Sequence, residues 1–179
     1  GKIQAIQFAR VNKLPYLGIC LGMQLSIIEY LRNVGGGKDA NSVEFDKETK
    51  EPAIYLIEQF LDTTGDPQVR THKSPMGGTL RLGEYPFESK KGSHLESAYG
   101  KGISNERHRH RYEANPEYKE VLEKNGMFIT GESNGLIEVV EIKDHPWFVG
   151  VQFHPEFTSS LQTPNPIIFD FVKNGLKKR

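Results

Sequence analysis

The chain has 179 residues, 36% of them hydrophobic and 26% charged, enough for one domain with a real core. Lys plus Arg and Asp plus Glu both number 23, and that neutrality removes the electrostatic case for a nucleic-acid or anionic-membrane partner. No apolar run approaches the roughly 20 residues of a membrane span, and a single cysteine makes no internal disulfide, so a reducing cytoplasm is the expected compartment.

The opening "GKIQAIQFAR" carries no initiator Met and no apolar signal core. Ile3, Ile6 and Ala9 or Arg10 fall at helical spacing, predicting a helix over 2–13 and the interior of a longer sequence. Pro15 suits a strand start, and the apolar run 16–20 suits a buried parallel strand. Leu21, Leu25, Ile28, Leu31 and Arg32 then recur at helical offsets. Gly35, Gly36 and Gly37 open a flexible loop through residue 42, and residues 53–60 fit either a strand or a short helix. Residues 75–87 pair Gly77–Gly78 punctuation with strand-like alternation. Asn115–Pro116 starts a helix that Asn125–Gly126 stops. Residues 135–142 and 146–153 are two strands joined by a turn, and Asn165–Pro166 begins a last amphipathic helix to about Leu176. The alternation of helix, strand and helix predicts one α/β domain spanning 1–179.

Three constellations could carry chemistry. In "LGICLGM" the sole cysteine, Cys20, has Gly18 and Gly22 two places to either side, at a strand-to-helix junction. That fits the G-x-nucleophile-x-G elbow. Such a turn strains the nucleophile's backbone and brings the flanking residues together, where a Cβ would clash. The following helix N-terminus is expected to favour thiolate. On pattern alone, a core cysteine between two ordinary glycines is an equal alternative. In "VQFHPEF", His154 and Glu156 are two apart at a strand exit; on extended backbone they share a face. An imidazole oriented by a carboxylate is the base half of a Cys–His–acid triad. In "ERHRHRYE" a strand would put Arg107, Arg109 and Arg111 on one face and His108 and His110 on the other. A nucleic-acid patch, a metal site short of ligands, an Arg gripping a carboxylate and a solvated charged strand all compete there.

With these in hand, "GICLGMQ" and "FHPEF" make the chain resemble the class I glutamine amidotransferases. "DANSVEF", "PMGGTLRLG", "ERHRHRYE" and "FHPEFTS" together are similar to the glutaminase domain of the CTP synthase family. The resemblance implies a flavodoxin-like open sheet with flanking helices, its first strands missing. It implies a Cys20 nucleophile, a His154 base and Glu156 orienting His154. Glutamine would be bound by Leu21, Gly22, Met23, Gln24, Glu44 and Arg109, with the Leu21 N–H as one oxyanion donor. The ammonia would serve ATP-dependent amination of UTP to CTP in a synthase domain of the same polypeptide. That absent domain would hold ATP and Mg2+; the chain itself is expected to carry no metal or cofactor. The "PMGGTLRLG" stretch resembles a lid associated with GTP activation. A homotetramer is implied only for the complete enzyme. The Gly-rich loop giving the family's second oxyanion donor is also absent, which implies a poorly active fragment. A different triad amidotransferase, a γ-glutamyl hydrolase and a non-catalytic amidotransferase-like module are the alternatives.

Overall fold

The computed structural model describes residues 1–56, 59–61, 67–69 and 81–177. In chain order the elements are α1 (Lys2–Val11), β1 (Tyr16–Ile19), α2 (Leu21–Tyr30), β2 (Asn41–Ser42), β3 (Pro52–Leu56), β4 (Gln59–Leu61), β5 (Pro67–Val69), β6 (Arg81–Ser89), α3 (His94–Tyr99), β7 (Ile103–His110), β8 (Tyr112–Ala114), α4 (Lys119–Lys124), β9 (Met127–Ser133), β10 (Leu136–Ile142), β11 (Phe148–Val151) and α5 (Pro166–Leu176). An open six-stranded sheet runs β1-β11-β10-β9-β6-β7. The α/β architecture expected from the sequence is therefore present. β1 pairs parallel with β11, while the other neighbours in this sheet pair antiparallel.

The sheet is covered on both faces. One core joins Ile6 of α1, Met23, Ile27 and Ile28 of α2 and Leu122 of α4 to Ile129, Val140 and Phe148. The other joins Leu95 of α3 and Ile167 of α5 to Val139, Trp147, Val149 and Val151. Neighbours such as Phe148 and Val149 serve opposite cores because a strand alternates its faces. α2 is buried on every side from Met23 to Tyr30. Its charged residue Glu29 is met by Arg10 of α1, whose Nε and Nη2 donate at 2.8 and 2.7 Å. Such a fork satisfies both carboxylate oxygens, which a buried acid requires. Gly150 lets α2 lie close on the sheet, since a Cβ there would sit 2.9 Å from Met23 Cγ.

Several boundaries differ from the sequence reading. α2 runs into a π turn, Leu31–Gly35, and Gly36 at φ 81° caps it. The triglycine is thus a helix terminator that uses glycine's left-handed freedom, not a plain loop. Asn115 accepts from the Glu117 N–H at 3.1 Å, starting a 3-10 turn that leads into α4. Asn165 caps α5 through the Ile167 N–H at 3.1 Å. β9 and α3 carry no strong signal in the sequence. α3 forms because Ser93 accepts from Glu96 N–H and buried Glu141 of β10 accepts from the His94 and Leu95 N–H groups. Residues 53–56 are strand; 57 and 58, and the Gly77–Gly78 punctuation, lie outside the described residues.

Candidate active site

β1 ends at Ile19, in register with Val151 of β11. Cys20 follows at once. Its N–H donates to Val151 O at 2.8 Å, while its φ of 50° and ψ of −106° leave ordinary strand and helix space. A non-glycine residue at such a φ is strained by about 1–3 kcal/mol. α2 begins with the next residue, so the strand-to-helix elbow is real.

The glycines flanking it are not equivalent. A Cβ on Gly18 would lie 2.8 Å from the Gly22 carbonyl carbon and 2.7 Å from Tyr16 Oη. A Cβ on Gly22 would meet only Tyr16 Oη, at an ordinary 3.5 Å. The expected clash therefore holds for Gly18 and fails for Gly22. Tyr16 closes the turn by donating from its hydroxyl to Gly22 O at 2.9 Å.

The thiol also departs from expectation. The Leu21 backbone N–H does favour the anion, as a helix N-terminus should. Burial outweighs it, and Glu113, Glu156 and Glu44 push the same way as burial. The Cys20 thiol is raised to about 11. At neutral pH it is a thiol, so any nucleophilic step here needs a base.

Three residues past the end of β11 lies His154, the candidate for that base. The His154 N–H donates to Arg107 O of β7 at 2.8 Å, fixing the backbone beside the central sheet. His154 Nδ1 lies 2.6 Å from Glu156 Oε1. The pair forms differently from the sequence picture: Pro155–Phe157 is a 3-10 turn, not extended strand. Proline at its first position presets that turn. Phe157 stacks on the imidazole at 4.7 Å between ring centroids. With Nδ1 occupied by the carboxylate, Nε2 is the remaining basic nitrogen; it is buried and without a hydrogen-bond partner among the described residues.

The other predicted ligand residues are distributed unevenly. Met23 is fully buried in the core, so its side chain serves packing. Gln24 is buried, and its Nε2 donates to Tyr112 O at 2.9 Å and to Gln152 Oε1 at 3.0 Å. Glu44 is exposed on the loop after β2, yet close enough to raise the Cys20 thiol. Arg109 lies on the exposed face of β7, with Arg107.

The opposite, buried face of β7 was the least legible part. His108 Nδ1 lies 2.8 Å from His110 Nε2. Arg81 of β6 lies 2.6 Å from Glu138 and 3.8 Å from Glu113, and its guanidinium covers the Tyr85 ring at 4.3 Å. Burial pushes Glu138 up to about 7 despite Arg81. Burial, with Arg81, His110 and His154 nearby, holds His108 well below the usual imidazole range. The two histidines are thus part of a charge cluster behind the site. No group of three or more His, Cys, Asp or Glu among the described residues could hold a metal ion. The available signal was an acid inside an apolar strand run, as in "LIEVVEI". Gln152 gave the same signal inside "FVGVQF" and was likewise missed.

The arrangement is a strained cysteine elbow and a His–Glu turn that follow the ends of the adjacent parallel strands β1 and β11 of an open α/β sheet. The Glutamine amidotransferase class-I family matches residues 1–174. The chain belongs to that family. It is 68% identical over 177 residues to a CTP synthase of Sulfurimonas denitrificans and 65% identical over 177 to one of Helicobacter hepaticus. Each match covers 98% of this chain and 33% of the relative, so the chain spans about a third of the length of these curated relatives. The glutaminase domain of Trypanosoma brucei CTPS with bound acivicin superimposes with a TM-score of 0.85 at 36% identity, covering 99% of this chain and 66% of that one. Among the described residues, no helix of this amidotransferase is long and apolar enough to cross a membrane.

Proposed function

We propose that this amidotransferase domain hydrolyses the side-chain amide of L-glutamine through Cys20, His154 and Glu156, as the glutaminase part of a CTP synthase. The observation that carries the reading is the parallel β1–β11 pair, which brings the Cys20 elbow and the His154–Glu156 turn to the same edge. Cys20 Sγ attacks the amide carbon while His154 takes the thiol proton. Because burial keeps Cys20 protonated at rest, transfer to His154 accompanies attack. Glu156 holds the imidazole orientation and stabilises the imidazolium that forms. The Leu21 N–H donates to the developing oxyanion. His154 returns the proton to the leaving nitrogen, and ammonia departs from the tetrahedral intermediate, leaving a γ-glutamyl thioester on Cys20. Water, giving a proton to His154, hydrolyses the thioester to glutamate and restores the thiol.

The substrate's polar end matches the remaining groups. Both hydrogens of the Gln24 amide are committed within the protein, so toward a ligand this amide presents its acceptor, Oε1. Gln24 and Glu44 suit an α-ammonium, and Arg109 suits an α-carboxylate. Leu21 and Gly22 line the approach to the sulfur by backbone. The released ammonia serves ATP-dependent amination of UTP in a synthase domain, where ATP and Mg2+ belong, within a tetrameric enzyme. The single free cysteine fits a cytoplasmic setting. GTP activation is assigned to the stretch 75–83, of which 75–80 lie outside the described residues.

The test uses the full-length protein. Cys20→Ala lowers glutamine-dependent CTP formation by at least about 1,000-fold and leaves ammonia-dependent formation in place. Retention of glutamine-dependent synthesis in that variant removes Cys20 from its role. Absence of CTP formation from either nitrogen source in the wild type removes the synthase assignment.

A further inference from the structure

Gln152 is fully buried one residue beyond β11. Its backbone N–H donates to Glu138 O at 2.8 Å. Its side-chain Nε2 lies 3.6 Å from Cys20 Sγ, within donor range for sulfur. Its Oε1 accepts from Gln24 Nε2, which also donates to Tyr112 O.

This chain of contacts has a defined direction. The Tyr112 carbonyl is an acceptor that cannot rotate away from its own strand, so it fixes the Gln24 amide with the NH2 toward it. The same NH2 then faces Gln152, which must answer with its carbonyl oxygen. The Gln152 NH2 is left pointing at the sulfur. Reversing Gln152 would set two donors against each other and turn a carbonyl oxygen toward Cys20. A buried amide pair is thus locked by one backbone carbonyl into a donor aimed at the reacting atom.

We propose that Gln152 is a further residue of the reaction centre: its side-chain N–H holds the Cys20 sulfur in place and stabilises the anion that develops as the thiol proton leaves. The reading rests on Cys20 as the nucleophile. Its physical need is plain from the surroundings. The sulfur is largely buried and Glu113, Glu156 and Glu44 all oppose its ionisation. A neutral amide donor lowers that opposition without adding a charge that would compete with the imidazolium. The donor also acts more strongly as sulfur becomes negative, since hydrogen bonds to charged acceptors are about twice as strong as neutral ones. Gln152 is therefore worth more in the transition state than in the resting thiol.

The rate of Cys20 alkylation by iodoacetamide against pH, in the full-length protein, reads the thiol directly. It does not depend on glutamine turnover, so failure here is distinct from failure of the glutaminase assignment. Gln152→Met keeps the bulk and removes the donor; Gln152→Glu keeps the shape and puts a carboxyl at the sulfur. The expected result is a higher apparent thiol pKa and about tenfold slower alkylation at neutral pH for Gln152→Met, with a larger effect for Gln152→Glu. Glutaminase kcat falls while KM for glutamine holds, and circular dichroism is unchanged. A folded Gln152→Met protein with wild-type thiol titration overturns the proposal. In the wild type, the side-chain amide resonances of Gln152 are expected to shift as Cys20 titrates or is alkylated. Resonances that ignore both events overturn it whether or not either variant folds.

Discussion

The two halves of the site are built to different tolerances. The half that carries the proposed nucleophile is closed in by backbone: Gly18 has no room for a Cβ, and Cys20 sits strained between β1 and α2. Tyr16 ties the turn shut, and Met23 anchors the next helical turn in the core. The base half is held by a few polar contacts on a short 3-10 turn, with the Glu156 side chain 44% exposed against 18% for His154. In the first, chemistry is inseparable from folding. In the second, a side chain can be altered while the fold stands. Mutations on each side should therefore separate activity from stability in opposite ways.

Among substitutions that leave the Cys20 thiol in place, the largest expected effect falls on the base half. Glu156→Gln keeps size and removes the charge that stabilises the imidazolium. Glutaminase kcat should fall by about 100-fold or more. The urea midpoint should stay near wild type, because an exposed ion pair contributes little to stability. Measuring both in one protein checks the contrast. A Glu156→Gln protein that loses its midpoint along with its rate would show that the base half is as tightly coupled to folding as the elbow.

Gly18→Ala should do the reverse in kind: a loss of stability first, with activity following. The added methyl meets backbone at Gly22 and the hydroxyl end of Tyr16. Overpacking of this sort costs about 1–3 kcal/mol, read as a lower urea midpoint. Adding Tyr16→Phe, which removes the hydroxyl that crowds this methyl, should recover part of the loss. The Gly22 backbone contact and the ring Cε1 contact at 2.8 Å remain, and the hydroxyl's hydrogen bond to Gly22 O is lost, so recovery is partial. Full recovery would locate the whole strain in the Tyr16 hydroxyl.

These differences explain what the sequence made legible. The elbow left glycines around a cysteine because backbone proximity restricts residue type, and restricted residue types show in a string of letters. His154 and Glu156 were legible by spacing, although the turn joining them was not: Pro155 fits both a strand end and the first position of a 3-10 turn. The Arg81–Glu138–Glu113 and His108–His110 cluster was opaque. It is assembled from β6, β7, β10 and the residues around β8, and no local period reports contacts between distant strands. The same holds for Gln152, whose partners Cys20 and Gln24 precede it by 132 and 128 residues. The antiparallel character of most of the sheet was equally hidden, because a buried apolar run is compatible with either direction.

The smallest effect is the most informative about Gly22. Spacing alone treats Gly22 as the mirror of Gly18, but a Cβ at Gly22 finds only an ordinary contact with Tyr16 Oη. Gly22 lies in the first turn of α2, where alanine forms helix better than glycine by up to about 1 kcal/mol. Gly22→Ala is therefore expected to leave the urea midpoint unchanged or slightly raised. Any loss of glutaminase activity in that variant then has one remaining source: the methyl group occupies space that glutamine needs beside the sulfur. A raised KM with unchanged stability would assign Gly22 to the ligand rather than to the fold. A lowered midpoint would return it to the elbow, and the asymmetry between the two glycines would be gone.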